Sequence, residues 1–185
     1  MKFLKFLIII FISLTTAIKA DLNKNLMNQL LDGNKLIFIR HAYAPGSGDP
    51  NNFNLNDCST QRNLNEEGKK QAQKIGEFFK KNKFKIKKVF SSEWCRCKET
   101  AEIAFEDYST KDFLNSFYSS KYTKNKTKQI KELNNFVRKF KNNQNLVFIT
   151  HYVLISEVLN YAPSSGEIVV SDKNFNIIGS IEINY

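Results

Sequence analysis

The sequence predicts an α/β fold built on a mostly parallel sheet, and three observations carry that prediction. Two apolar runs of strand length, LIFI at 36–39 and LVFI at 146–149, show no alternation with polar residues, as expected of strands covered on both faces. Segments with helical spacing separate these runs from each other and from the remaining strand candidates, which is the alternation of an α/β protein. Each run also stops at a histidine, His41 and His151, and the chain has no other. In open parallel sheets, ligands sit beyond the carboxyl ends of the strands, where such residues emerge.

The chain has 185 residues, enough for one domain that buries most of its own surface. Its first 20 residues, MKFLKFLIIIFISLTTAIKA, start with Lys2 and Lys5, continue through an apolar stretch from Phe6 to Leu14, and end in small and polar residues. This is the pattern of a signal peptide cut after Ala20, with Ala17 as the other option, and it leaves a domain at 21–185. The apolar stretch falls short of the ~20 residues of a comfortable membrane span, and no later segment approaches that length. The expected destination is the periplasm or the medium, with no stable span after cleavage.

The formal charge is +10, from 28 basic and 18 acidic residues. Much of the excess is lysine in stretches such as KKNKFKIKK and KYTKNKTK, which read as a solvated surface able to steer an anionic substrate. Basic residues interleaved with exposed aromatics on one face, the mark of a nucleic-acid binder, are missing, so no nucleic-acid partner is expected. An exported chain with Cys58, Cys95 and Cys97 can form one disulfide, from Cys58 to either of the other two. The CRC spacing does not suit zinc.

Taken in order, DLNKNLMNQLLDG predicts a short helix with Leu26, Leu30 and Leu31 on one side and Gly33 at its end. KLIFIR is the first buried strand. Residues 42–64 form a long loop rich in Gly, Pro and Asn, of a length that is usually functional. Asn65 caps a helix whose inner face holds Ala72, Ile75 and Phe79. IKKVFSS is a second strand, followed by a helix over EWCRCKETAEIAFED with Ser92 as its cap. DFLNSF suggests a short strand. Ile130, Leu133, Phe136, Val137 and Phe140 make the apolar stripe of a further helix. NLVFIT is the third buried strand, YVLISEVLNYA a helix stopped by Pro163, and GEIVV and NFNIIGSIEI two closing strands joined through SDKN.

Three strand ends then converge: Arg40-His41, Ser91-Ser92 leading to Arg96, and Thr150-His151. A neutral imidazole is a good nucleophile near pH 7, and guanidinium groups grip phosphate oxygens in bidentate fashion. Two arginines around one histidine point to attack on phosphorus, a reaction that depends on positioning and charge stabilisation. Nothing in the sequence looks like a glycine-rich nucleotide loop or a carboxylate cluster for Mg²⁺, so the expected chemistry uses no metal and no cofactor.

The segments IRHA, RNLNEEGKKQA, VFSSEWCRCKETA and FITHYVLI, in this order over roughly residues 35–160, resemble the histidine phosphatase superfamily, also called phosphoglycerate mutase-like. The resemblance implies a three-layer α/β/α sandwich with a mostly parallel central sheet and a phosphohistidine intermediate. It assigns His41 as nucleophile, Arg40 and Arg96 as phosphate-binding arginines, and His151 as a contact to the transferring phosphoryl group. Arg62 resembles a pocket arginine of the short phosphohistidine-phosphatase branch, its alternative being a surface salt bridge.

RHA stands in place of the commoner RHG. The loop YAPGSGDPNNFNLNDCSTQ, with WCRC and SGEIVV, is similar to an exported bacterial subgroup, and less closely to exported lipopolysaccharide-core heptose phosphate phosphatases. Tyr152 occupies the place where the acid-phosphatase branch has an aspartate. That leaves Asp49, Glu93, Glu99 and Glu167 as candidates for the proton donor. The expected activity is metal-independent hydrolysis of a small phosphate ester, a cell-envelope phosphate being one candidate. The alternatives are a phosphoglycerate mutase-type phosphotransferase, which an exported chain would not need, and a non-catalytic phosphate-ligand binder, which would not need the nucleophile.

Overall fold

The computed structural model describes residues 24–185, so the expected leader at 1–20 lies outside the described residues. In chain order the elements are α1 (24–32), β1 (Leu36–Arg40), α2 (Glu66–Asn82), β2 (Ile86–Ser91), α3 (Cys95–Phe105), β3 (Ser109–Thr110), α4 (Ser120–Thr123), α5 (Lys126–Lys139), β4 (Asn145–Thr150), α6 (Tyr152–Leu159), β5 (Ile168–Ser171) and β6 (Ile177–Ile181).

The strands form one sheet in the order β3-β2-β4-β1-β5-β6. β1, β2, β3 and β4 run parallel, and β5 is antiparallel to both of its neighbours, β1 and β6. The unbroken apolar runs have a simple cause, since both faces of the sheet are covered. Ile37, Ile39, Val147 and Ile149 face a core shared with Leu30 of α1, Ile75 and Phe79 of α2 and Ala101 of α3. The alternate residues Leu36, Phe38, Leu146 and Phe148 face Leu133 and Val137 of α5 and Leu154 and Leu159 of α6. The result is the three-layer α/β/α sandwich. Among the described residues, no helix is long and apolar enough to cross a membrane.

Local expectations hold for α2, where the Asn65 side chain accepts a hydrogen bond from the Gly68 N–H and Glu66 and Glu67 occupy the first turn. The same Gly68 lets α2 lie directly on the loop after β1. A Cβ there would sit 1.9 Å from the Tyr43 carbonyl oxygen. Three expectations change. Leu31 is exposed rather than on the inner face of α1, whereas Leu26 and Leu30 are buried. DFLNSF is not a strand: β3 is the dipeptide before it, and residues 112–114 form a 3₁₀ turn that pushes Phe113 and Leu114 inward. Helix α3 starts at Cys95 with Trp94 at its cap position, not Ser92.

β2, β4 and β1 are adjacent and parallel, so their carboxyl ends leave the sheet along one edge. Arg40 is in register with Thr150, and Ser91 with Ile149. The residue after each strand is tied down: the His41 N–H donates to the Thr150 carbonyl at 2.9 Å, and the Ser92 N–H to the Ile149 carbonyl at 2.9 Å.

Cys58, in a 3₁₀ turn of the long loop, is bonded to Cys95 at the start of α3, and Cys97 is buried as a free thiol. Two residues apart on a helix, Cys95 and Cys97 point roughly 200° away from each other, so only one can meet the loop. The bridge spans 37 residues of sequence. Replacing both partners by serine is expected to lower stability by about 4 kcal/mol on a chain-entropy estimate, read as a loss of denaturant midpoint.

Candidate active site

Arg40, His41, Arg62, Arg96 and His151 all line one cavity of about 470 Å³ above the carboxyl edge of the sheet. The elements explain the convergence. β1 delivers Arg40 and His41, β4 delivers His151, the first turn of α3 delivers Arg96, and the long loop folds back to bring Arg62.

His41 is buried, and its Nδ1 lies 2.8 Å from the Ala42 carbonyl oxygen. A carbonyl can only accept, so Nδ1 carries the proton and the lone pair is on Nε2. The backbone around it is fixed by side chains that the sequence did not single out. The Ala42 N–H donates to Thr100 Oγ1 at 3.0 Å, and Thr100 in turn donates to the Arg96 carbonyl one helical turn back at 2.7 Å. The Tyr43 N–H donates to Gln71 Oε1 at 2.8 Å, and the Gln71 amide donates to Ser165 and Ile183 carbonyls. The spacing Arg96-x-x-x-Thr100 was visible as part of a motif, but its purpose was not.

His151 presents Nδ1 to Arg96 Nη2 at 3.4 Å and Nε2 to Ser92 Oγ at 2.8 Å. A guanidinium can only donate, so Nδ1 accepts and the Nε2–H donates to Ser92. The Ser92 hydroxyl then donates to Asn115 Oδ1 at 3.0 Å. Ser92 is therefore a support for the second histidine rather than a helix cap. The two imidazole rings stand 5.6 Å apart, close to edge-on.

Arg40 donates through Nη1 to the Pro163 carbonyl at 2.9 Å and lies over the Tyr152 ring at 5.5 Å. Arg62 donates to the carbonyls of Ala44 and Gly48, and so braces the loop that forms the cavity wall. Among the described residues it pairs in no surface salt bridge. Arg96 is held by Asp49, with Nη1 2.7 Å from Oδ1. Among the described residues, the buried Nε atoms of Arg40 and Arg96 find no hydrogen-bond partner. Unmet donors of this kind are what an incoming anion would satisfy.

Burial, together with Arg96, Arg62 and Arg40, pushes the pKa of both histidines well below the ordinary imidazole value, His151 feeling His41 as well. Both are neutral at pH 7. For a base depressed by folding, the unfolded chain takes up the proton first. Stability is therefore unaffected above about pH 6.5 and is lost as pH falls from there toward the folded-state values. The expected cost is about 1.4 kcal/mol per histidine for each pH unit in that range, measured as a falling denaturant midpoint between pH 7 and 5.5. A midpoint that stays level or rises over that interval contradicts the assignment.

Of the candidate acids, only Asp49 lines the cavity. Burial raises its pKa, but Arg96, the Arg62 N–H and the Trp94 indole outweigh that and hold the carboxyl below its ordinary range. Glu93 accepts from the Asn115 amide at 2.6 Å. Glu167 accepts from the Tyr161 hydroxyl and the Ser164 N–H. Glu99 lies outside the cavity lining.

The family profile of the histidine phosphatase superfamily (branch 1) matches residues 36–147, stopping just before Thr150-His151. The protein histidine phosphatase SixA, solved with tungstate, is 15% identical with a TM-score of 0.53, over 77% of this chain and 92% of that one. A provisionally assigned phosphohistidine phosphatase SixA of Agrobacterium tumefaciens is 17% identical with a TM-score of 0.54, over 81% and 98%. A phosphoglycerate mutase of Thermus thermophilus is 16% identical, also with a TM-score of 0.54, over 81% and 99%. At such identities the likeness is one of fold. A search of curated proteins returns no match to the sequence.

Proposed function

The chain belongs to the histidine phosphatase superfamily, branch 1, and on that premise we propose that it hydrolyses a small phosphate ester through a phosphohistidine on His41. The observation that carries the reading is the His41 ring itself. Its Nδ1–H is spent on the Ala42 carbonyl, which leaves the Nε2 lone pair in a cavity ringed by three guanidinium groups.

In the first step the Nε2 lone pair forms a bond to phosphorus while the bond to the leaving oxygen breaks in line. Arg40 and Arg96 bind the equatorial oxygens, where negative charge is spread in the transition state. The phosphoryl dianion offsets the charge of the clustered guanidinium groups, and His151, fixed by Ser92 and Arg96, flanks the transferring group. In the second step water attacks the phosphohistidine, giving inorganic phosphate and restoring neutral His41. The same depressed pKa keeps His41 unprotonated, and so nucleophilic, below the usual imidazole range.

We also propose that the protein works outside the cytoplasm. The leader-like first 20 residues and the Cys58–Cys95 bridge support this reading.

The test is turnover of p-nitrophenyl phosphate by protein from residue 21 onward, with EDTA present, followed by an alkaline quench after a radiolabelled phosphate ester. The expected result is release of inorganic phosphate and an alkali-stable, acid-labile label on the chain. No turnover with EDTA and none with added Mg²⁺ would sink the proposal. Label passed to a second phosphorylated acceptor instead of water would identify a mutase.

A further inference from the structure

We infer that the site takes phosphate esters of an aromatic alcohol, whose ring lies in the mouth of the cavity and whose phenolate leaves without a proton from an enzyme carboxyl. This inference rests on the hydrolase reading above and names its substrate class. Two independent features support it.

The first is the cavity wall. Beyond the phosphate end, five aromatic side chains line the cavity, interspersed with Asn51, Ser116, Ser119 and Lys121: Phe53 from the long loop, Trp94 before α3, Tyr118 and Tyr122 around α4, and Tyr152 at the start of α6. Phe53, Trp94 and Tyr122 pack into one cluster, with Phe53 stacked on Trp94 at 5.1 Å and Tyr122 edge-on to both. Trp94 in turn stands edge-on to the His151 ring at 5.4 Å, so the aromatic surface runs up to the reaction centre. Tyr118 is 64% exposed while lining the cavity, so its ring is not committed to the core. A cavity of about 470 Å³ leaves room for a ring beside the phosphoryl group.

The second feature is the state of Asp49, the one acid among the described residues that lines the cavity. Its Oδ1 accepts from Arg96 Nη1 at 2.7 Å and from the Arg62 N–H at 3.1 Å. Its Oδ2 accepts from the Trp94 Nε1–H at 3.0 Å and, more distantly, from Arg96 Nη2. A backbone N–H, an indole N–H and a guanidinium can only donate. A proton on either oxygen would face a donor that cannot turn round, so this carboxyl is built as an acceptor and not as an acid. An alkoxide leaving group, comparable with hydroxide from water of pKa ~15.7, needs a proton in the transition state. A phenolate, of pKa about 10, does not. In the resulting step the Nε2–P bond forms, the P–O(aryl) bond breaks with its electron pair going to oxygen, and the phenolate takes its proton from water outside the site.

The test has a kinetic and a binding arm. Phenyl phosphate is expected to exceed glycerol 2-phosphate in kcat/KM by at least about 100-fold, the low end of what a general acid would have supplied to the alkyl ester. Phenylphosphonate, which cannot be hydrolysed, is expected to inhibit about three- to tenfold more tightly than methylphosphonate. Tyr118→Ala should close most of that gap, and Tyr118→Phe should keep it. If glycerol 2-phosphate matches phenyl phosphate, or if Tyr118→Ala leaves the inhibitor gap intact, the inference is wrong while the hydrolase reading stands. If neither ester turns over, the hydrolase reading fails and takes this inference with it.

Discussion

His41→Ala is expected to abolish turnover of p-nitrophenyl phosphate, with a loss on the order of 10⁴-fold or more. The size follows from the proposed role. No other described side chain offers an unprotonated imidazole nitrogen to the cavity without also holding a structural hydrogen bond, since both nitrogens of His151 are engaged by Arg96 and Ser92. The His41 ring bonds only to its neighbour's carbonyl and contributes little cross-linking to the fold. The variant should therefore remain folded, and inorganic phosphate should still bind to the guanidinium groups. Full activity in His41→Ala would show that the nucleophile lies elsewhere.

Arg96→Lys is expected to lower kcat/KM by about 10²–10³-fold, because an ammonium keeps the charge and loses the planar fork. Arg96→Ala is expected to do worse in two separable ways. Arg96 is buried and pairs with the partly buried Asp49, their side chains being 4% and 17% exposed. Removing Arg96 leaves the Asp49 carboxylate with only the Arg62 N–H and the Trp94 indole as donors, at a cost of about 1–3 kcal/mol. Adding Asp49→Asn to Arg96→Ala should restore most of the lost stability but none of the lost activity. Recovery of both would make Arg96 a structural residue only, and its place in the proposed mechanism would be lost.

The fold was legible where burial dictates composition. The runs at 36–39 and 146–149 could be read as inner strands because a strand covered on both faces has no position left for a polar side chain. Residues 112–117 were not legible. Phe113, Leu114 and Phe117 are all buried, and a 3₁₀ turn satisfies that pattern as well as a strand does. The clustering of Arg40, His41, Arg96 and His151 could be anticipated from adjacent parallel strands ending at one edge. The supporting residues could not. Ser92 has the chemistry of a cap, and only the long-range approach of His151 makes it a partner for the ring. Asp49 looked like a possible acid because sequence shows a carboxyl and hides the donors around it. The choice between Cys95 and Cys97 likewise depended on which way each points from α3.

The two histidines have one further consequence, in proton counting. They are the chain's only side chains whose ordinary pKa lies close to neutrality, and both are held uncharged in the folded protein. As the surroundings acidify below the ordinary imidazole range, the two rings stay uncharged in the folded protein and add nothing to its net charge. The unfolded chain has two imidazoles ready to bind protons there. Unfolding in a weakly buffered, mildly acidic solution therefore takes up protons, and the uptake rises with the unfolded fraction.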